Sequence, residues 1–381
     1  MSFQAQQHPG EHPRSALPTT RTPAAIAFAA TFSAALLGAM AGCGSGSAGP
    51  SQQSLAAPVA NAKGPQLGYI WMASDHSLRP VLGVAGSSTV GQSVVPAGTY
   101  AASVTSATAG VALLQDTAGA VDLMKLPSGS PASLGVTLPA GASLRLSPSA
   151  TTALLYSPGA ATATLVTALD SSPQIRSVAA AGPILDSAVS DLGTVAFEYA
   201  QASETNVSVV DSQGHALSVT SLHAPGGLSF LPGKDDLLAA DSAASSLTLI
   251  RSASSAPSAL VLPTGSSIQS PVAVGVSASG RWALVTNGAA SQSAVRIDLT
   301  SQTSTLVACS CKATLAEPLA DDGAFRLTDA VTGPNWIVDA APSTPRVLFI
   351  PALPVAVPAA KTTVASSTHA SRPTVSVGMA Q

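Results

Sequence analysis

Between residues 67 and 350 the chain alternates short, almost wholly apolar runs with polar turns rich in Gly, Ser and Asp. The runs are too short for helices and carry Val, Thr, Leu and Phe without a 3.6-residue stripe, so they predict β-strands. The clearest unit is Ser277-Ala-Ser-Gly280-Arg281-Trp282-Ala-Leu284-Val285-Thr286-Asn287, followed by a second strand, Val295-Arg-Ile297-Asp298. Aligned on Leu284, six related runs place their matching residues at Trp71, Leu114, Leu154, Phe197, Leu238 and Phe325. Successive steps along this series are 43, 40, 43, 41, 46 and 41 residues. A second mark supports the register: Asp211, Asp298 and Asp339 each fall 14 residues after Phe197, Leu284 and Phe325, at the end of the next strand.

Short strands repeating every ~40–45 residues are the signature of a β-propeller. Leucine-rich repeats are shorter, and helical repeats of this length need a Leu/Glu/Lys-rich periodicity that is absent. The chain is therefore expected to be all-β, a β-propeller of seven blades, with six or eight as the alternatives. The first unit has room for about three strands before Tyr100, so the strand Arg346–Ile350 is expected to complete it and close the ring. The run from Ser277 to Thr300 resembles the YVTN-type, WD40-like propeller repeat, with Leu284 where that repeat has Tyr. The other six units follow it in outline only. The resemblance implies the fold; because some YVTN-like propellers are lactonases, it also sets a hydrolase beside a binding function.

Ahead of the repeats, residues 24–40 carry no charge, while the segment before them holds Arg14, Arg21 and Glu11. A charged flank, an apolar stretch and small residues make a secretory leader, 1–42. Its end, Met40-Ala41-Gly42-Cys43, resembles the lipobox of bacterial lipoproteins. That resemblance implies cleavage before Cys43, acylation of its sulfur and amino group, and attachment to a membrane. Gly44 rather than Asp follows the cysteine, which by the enterobacterial sorting rule implies the outer membrane, facing the periplasm or the cell surface. The start at Leu67-Gly-Tyr-Ile-Trp71 and the Cys-x-Cys near the end are similar to envelope lipoproteins of soil bacteria. Residues 43–66 read as a flexible Gly/Ser tether and 351–381 as a disordered Pro/Ser/Thr/Ala-rich tail, leaving 67–350 for the propeller.

Composition narrows the function classes. Charged residues are only 9% of the chain and the net charge is −3. With no Lys/Arg cluster, the footprint of nucleic-acid binding is missing. Ala, Ser, Gly, Val and Thr take the place of charge, and aromatics are 4%. Such a core must draw its stability from many small contacts.

Candidate chemistry is sparse. Cys309 and Cys311 are the thiols left once Cys43 is lipidated, and an oxidising envelope favours their pairing. In a straight strand their Cα separation sits near the upper limit for a disulfide, so a local turn is required. Asp211, Asp298 and Asp339 recur at one repeat position and are expected to cap turns through their own backbone. The pairs Asp235-Asp236 and Asp321-Asp322 are expected to be solvated in strand-entry turns. His76, His215 and His223 lack metal-ligand spacing, and Asp75-His76 reads as a surface turn. Gly44-Ser-Gly46-Ser-Ala-Gly49 spells a dinucleotide fingerprint without the strand and helix that would give it meaning. No Gly-x-Ser-x-Gly elbow occurs. No catalytic set, metal site or cofactor is expected. The sequence points to a lipid-anchored envelope module that binds or assembles, meeting an envelope protein or a small ligand at one rim. A hydrolase and a purely structural envelope protein are the alternatives.

Overall fold

The computed structural model describes residues 64–201, 204–288, 290–328 and 334–352. Among them are 27 strands and no helix. They form seven sheets in chain order, spanning 66–90, 100–137, 143–179, 184–222, 225–261, 271–308 and 317–350. Each is an antiparallel meander of sequential neighbours, four-stranded except for the first, which has three. The fold is a seven-bladed β-propeller, and we number the blades 1 to 7 in that order. The leader, Cys43 and the tail from residue 353 onward lie outside the described residues.

The residues aligned in the sequence all fall on strands whose two faces pack against different blades, and all but Trp71 are buried. In blade 6, Ala283 and Val285 of the second strand pack toward Leu238 and Leu247 of blade 5. Leu284 turns the other way, toward Phe325 and Val338 of blade 7. This two-sided burial explains why the sequence shows continuous apolar runs instead of alternation. One apolar cluster lies at each of the seven junctions between neighbouring blades. At about 1.5–3 kcal/mol per buried Leu, Val, Ile or Phe, these junctions are the main source of cohesion. Small residues let the blades approach closely. A Cβ on Gly275 in the inner strand of blade 6 would fall 1.7 Å from the Ala316 carbonyl oxygen of blade 7.

Blade 1 differs from the rest. Its first strand, Gln66–Met72, behaves as the second strand of the other blades do. Leu67 and Ile70 pack with Ala324 and Ile337 of blade 7, while Tyr69 packs with Ala112 and Leu114 of blade 2. Tyr69, opposite Pro80, therefore takes the structural position of Leu284, opposite Arg296, with Trp71 two residues further along, and what blade 1 lacks among the described residues is an innermost strand. The expected closure by Arg346–Ile350 is corrected: that strand is the outer strand of blade 7, in register with Asn335–Asp339. Its last residue, Ile350, is buried in the junction between blades 7 and 1, with Ala324 and Ile337 on one side and Leu67, Ile70 and Val81 on the other. Blades 7 and 1 nevertheless meet directly, with the Ala320 amide donating to the Leu67 carbonyl at 2.8 Å.

Candidate functional site

Inner strands face the propeller axis, so one side of each must tolerate water while the other packs on its own blade. Their sequences are accordingly mixed: Ser143-Leu-Arg145-Leu146 in blade 3 and Ile184-Leu-Asp186-Ser187-Ala-Val189 in blade 4. Together with Trp71 they line a central cavity of about 470 Å³. Two ion pairs stand in its wall. Arg145 donates from Nη2 to Asp186 Oδ1 at 2.7 Å, joining blades 3 and 4. Arg326 pairs with Glu317 within blade 7, across the ring. Ser103 and Ser187 line the same cavity with hydroxyls that have no partner among the described residues.

Just behind this wall lies Glu198, on the second strand of blade 4 and opposite Asp186 in register. It is 0% exposed. Neither carboxyl oxygen makes a hydrogen bond of full geometry. Burial pushes its pKa up to about 9, and the nearby Asp186 and Asp241 carboxylates add to the rise, against a small opposing pull from the Gly227 amide. Glu198 is thus a neutral acid at pH 7.

One rim of the ring carries the turns that lead from inner to second strands, and these are laced together. Asp191 of blade 4 accepts the Ser149 amide of blade 3 and the Gly233 amide of blade 5, each at 2.8 Å. Burial opposes ionisation of Asp191, but these donors outweigh it and hold the carboxyl below its ordinary range. Ser190 donates to Asp235 at 3.1 Å, and Ser279 to Asp322 at 2.8 Å, again across blade boundaries. Asp236 accepts the Ser252 amide. The expectation that the acidic pairs are simply solvated is corrected for Asp235, Asp236 and Asp322, which serve as acceptors for neighbouring turns.

The other expected positions are dispersed. Asp211 Oδ1 accepts the amides of Gln213 and His215, and Asp298 Oδ1 those of Thr300 and Ser301. Asp339 occupies the matching strand end but pairs with Arg346 of the outer strand. His215 contacts Asp211, His223 contacts Asp241 at 2.9 Å, and the His76 Nδ1 lies 3.0 Å from the Tyr100 carbonyl oxygen. Asp75 is held by Ser77 and Arg79, so Asp75 and His76 do not act on one another. None of these histidines lines the cavity. Cys309 and Cys311 are joined by a disulfide, with Cα atoms 5.2 Å apart where the chain bends after the outer strand of blade 6. Among the described residues no group of three or more His, Cys, Asp or Glu side chains is placed to hold a metal ion.

No family model matches the chain, and no curated protein matches it by sequence. Solved structures match by shape. Apo AztD from Citrobacter koseri superposes with a TM-score of 0.51 at 14% identity, covering 75% of this chain and 83% of that one. A virginiamycin B lyase from Staphylococcus aureus gives 0.48 at 10% identity, over 67% and 84%. At such identities the likeness to AztD speaks for the fold alone.

Sequence reasoning missed Arg145, Asp186, Glu198, Glu317 and Arg326. The available signal was their rarity: in a chain with 9% charged residues, a charge inside a strand is informative.

Proposed function

We propose that this protein is a lipid-anchored binding module of the cell envelope, which takes a small dipolar solute in its central channel. The channel carries the reading. Its wall offers an Arg and a carboxylate on each of two sides of the ring, with serine hydroxyls between them. A ligand with one anionic and one cationic group, such as an amino acid or a peptide terminus, satisfies such pairs without leaving either charge unpaired. Two observations weigh against the hydrolase alternative: the wall carboxylates Asp186 and Glu317 are each committed to an arginine, and the histidines lie elsewhere. Anchoring rests on the Met40-Ala-Gly-Cys43 leader end.

Calorimetric titration with free amino acids and dipeptides tests the channel. Binding that weakens at least about tenfold in Arg145→Ala supports it, since losing a charge-assisted contact costs about 1.5–3 kcal/mol. Equal affinity in wild type and variant overturns it. The anchor is tested separately: Cys43→Ser should move the protein from the membrane pellet to the soluble fraction of a bacterial host. A variant that stays in the pellet ends that part of the reading.

A further inference from the structure

We infer that the channel selects amino acids and short peptides whose side chain is large and apolar, with Trp71 and Val272 setting the preference. The inference deepens the channel reading proposed above and rests on it. It follows from where the charged and the apolar parts of the wall stand.

The two ion pairs are not equally open. Two nitrogens of Arg326 donate to Glu317 Oε2, and the Arg326 side chain is 9% exposed. The Arg145 side chain is 48% exposed and gives Asp186 a single bond. A guanidinium carries five N–H donors, so Arg145 can take a carboxylate in addition. Asp186 receives Arg145 and the Tyr156 hydroxyl on the same oxygen, Oδ1, which leaves Oδ2 to an ammonium group. A dipolar head group is thereby placed at the boundary of blades 3 and 4.

In a ring of seven, that boundary faces blade 7, with blades 6 and 1 on either side of it. Apart from Thr314 and the Glu317–Arg326 pair, the lining residues of these three blades are apolar. Blades 2 to 5 supply Ser103, Thr105, Ser187 and Ser229 instead. Blade 1 contributes Trp71, whose indole packs on the Tyr69, Leu78 and Tyr100 cluster and stands edge-on to the His76 ring at 6.2 Å. A side chain held in this way meets a ligand with little further loss of rotamer freedom. Blade 6 contributes Val272, which is 48% exposed. A β-bulge accounts for that exposure: Pro271 pairs with Asn287 and Ala273 with Thr286, so Val272 has no partner across the ladder and is re-aimed at the cavity. Leu315, whose amide donates to the Leu327 carbonyl, and Pro318 supply the wall between them.

A ligand whose charges sit on Arg145 and Asp186 therefore sends its side chain toward Trp71 and Val272. An apolar group there leaves water with a gain, whereas a polar one leaves it at a cost. The cavity volume of about 470 Å³ suits a small molecule and not a long peptide.

Calorimetric titration with leucine, phenylalanine, alanine and serine tests the inference, because the four share one head group. Leucine and phenylalanine should bind at least about tenfold more tightly than alanine or serine. In Val272→Ser the leucine-to-alanine affinity ratio should fall at least about threefold, the effect of losing methyl groups from the contact. Trp71→Ala should lower the phenylalanine-to-alanine ratio by at least as much. Should that variant fail to fold, Val272→Ser, at an exposed position, carries the test. Arg145→Ala, by contrast, should weaken leucine and alanine alike. Equal affinities for the four amino acids overturn the inference and leave the dipolar reading standing. A leucine preference unchanged in Val272→Ser and Trp71→Ala overturns the assignment to this wall. Binding of none of the four, nor of their dipeptides, overturns the channel reading and this inference with it.

Discussion

Glu198→Gln should make this protein more stable at neutral and alkaline pH while leaving it almost unchanged in mild acid. The native acid is fully buried, and its pKa stands at about 9 against an ordinary value of 4.5. A folded-state pKa raised in this way means that folding retains a proton which the unfolded chain releases. The associated stability is complete below the unfolded value and is lost as pH rises toward the folded one. Integrating the linkage relation from pH 5 to pH 8 gives a loss of about 4 kcal/mol from this group alone. Glutamine keeps the shape and a similar hydrogen-bonding deficit but cannot ionise, so it removes the loss. Urea unfolding of both proteins at pH 5 and pH 8 is the assay, and the difference between them cancels every other titrating group. The curves should nearly coincide at pH 5 and separate by about 4 kcal/mol at pH 8. Parallel pH profiles for the two proteins would refute the reasoning, since they would mean that Glu198 finds a partner or water and ionises normally.

Asp191→Ala strips the shared acceptor from the Ser149 and Gly233 amides and should cost about 2 kcal/mol at pH 7. Because the native carboxyl titrates below its ordinary 3.8, that advantage should be present above pH 4 and disappear as pH falls further, which acid unfolding of the pair would show. Gly275→Ala forces a methyl against the Ala316 carbonyl, and thermal melting should register a loss of about 3 kcal/mol. An unchanged melting temperature would mean that blades 6 and 7 can separate without cost.

The outline of the ring was legible because its strongest signal comes from positions buried on two sides. Phe197, Leu238, Leu284 and Phe325 are all completely or nearly buried, and such positions permit little besides apolar residues. Their spacing counts the blades. Inner strands were harder to see, since one face looks into the channel and admits Arg145, Asp186 or Ser187. Contacts between blades were invisible for a different reason. Ser279 and Asp322 lie 43 residues apart, and a chain read locally presents the aspartate as an exposed turn residue. Asp339 shows the limit of repeat logic: it keeps the strand-end position of Asp211 and Asp298 but is claimed by Arg346. Glu198 was the missed clue in plain view, an acid embedded in Val195-Ala-Phe-Glu198-Tyr199.

Each blade meets only the blade before it and the blade after it, and the seventh junction joins the last to the first. That junction is intramolecular, so the two faces meet at a high effective concentration and no freedom of a separate body is lost when they engage. The order of blades in space is then indifferent to where the chain is cut. Joining the ends of 64–352 through a linker and opening the chain within 262–270, the nine-residue step between blades 5 and 6, exchanges one covalent connection for another while every apolar junction survives. A circular permutant opened there should fold to the same ring.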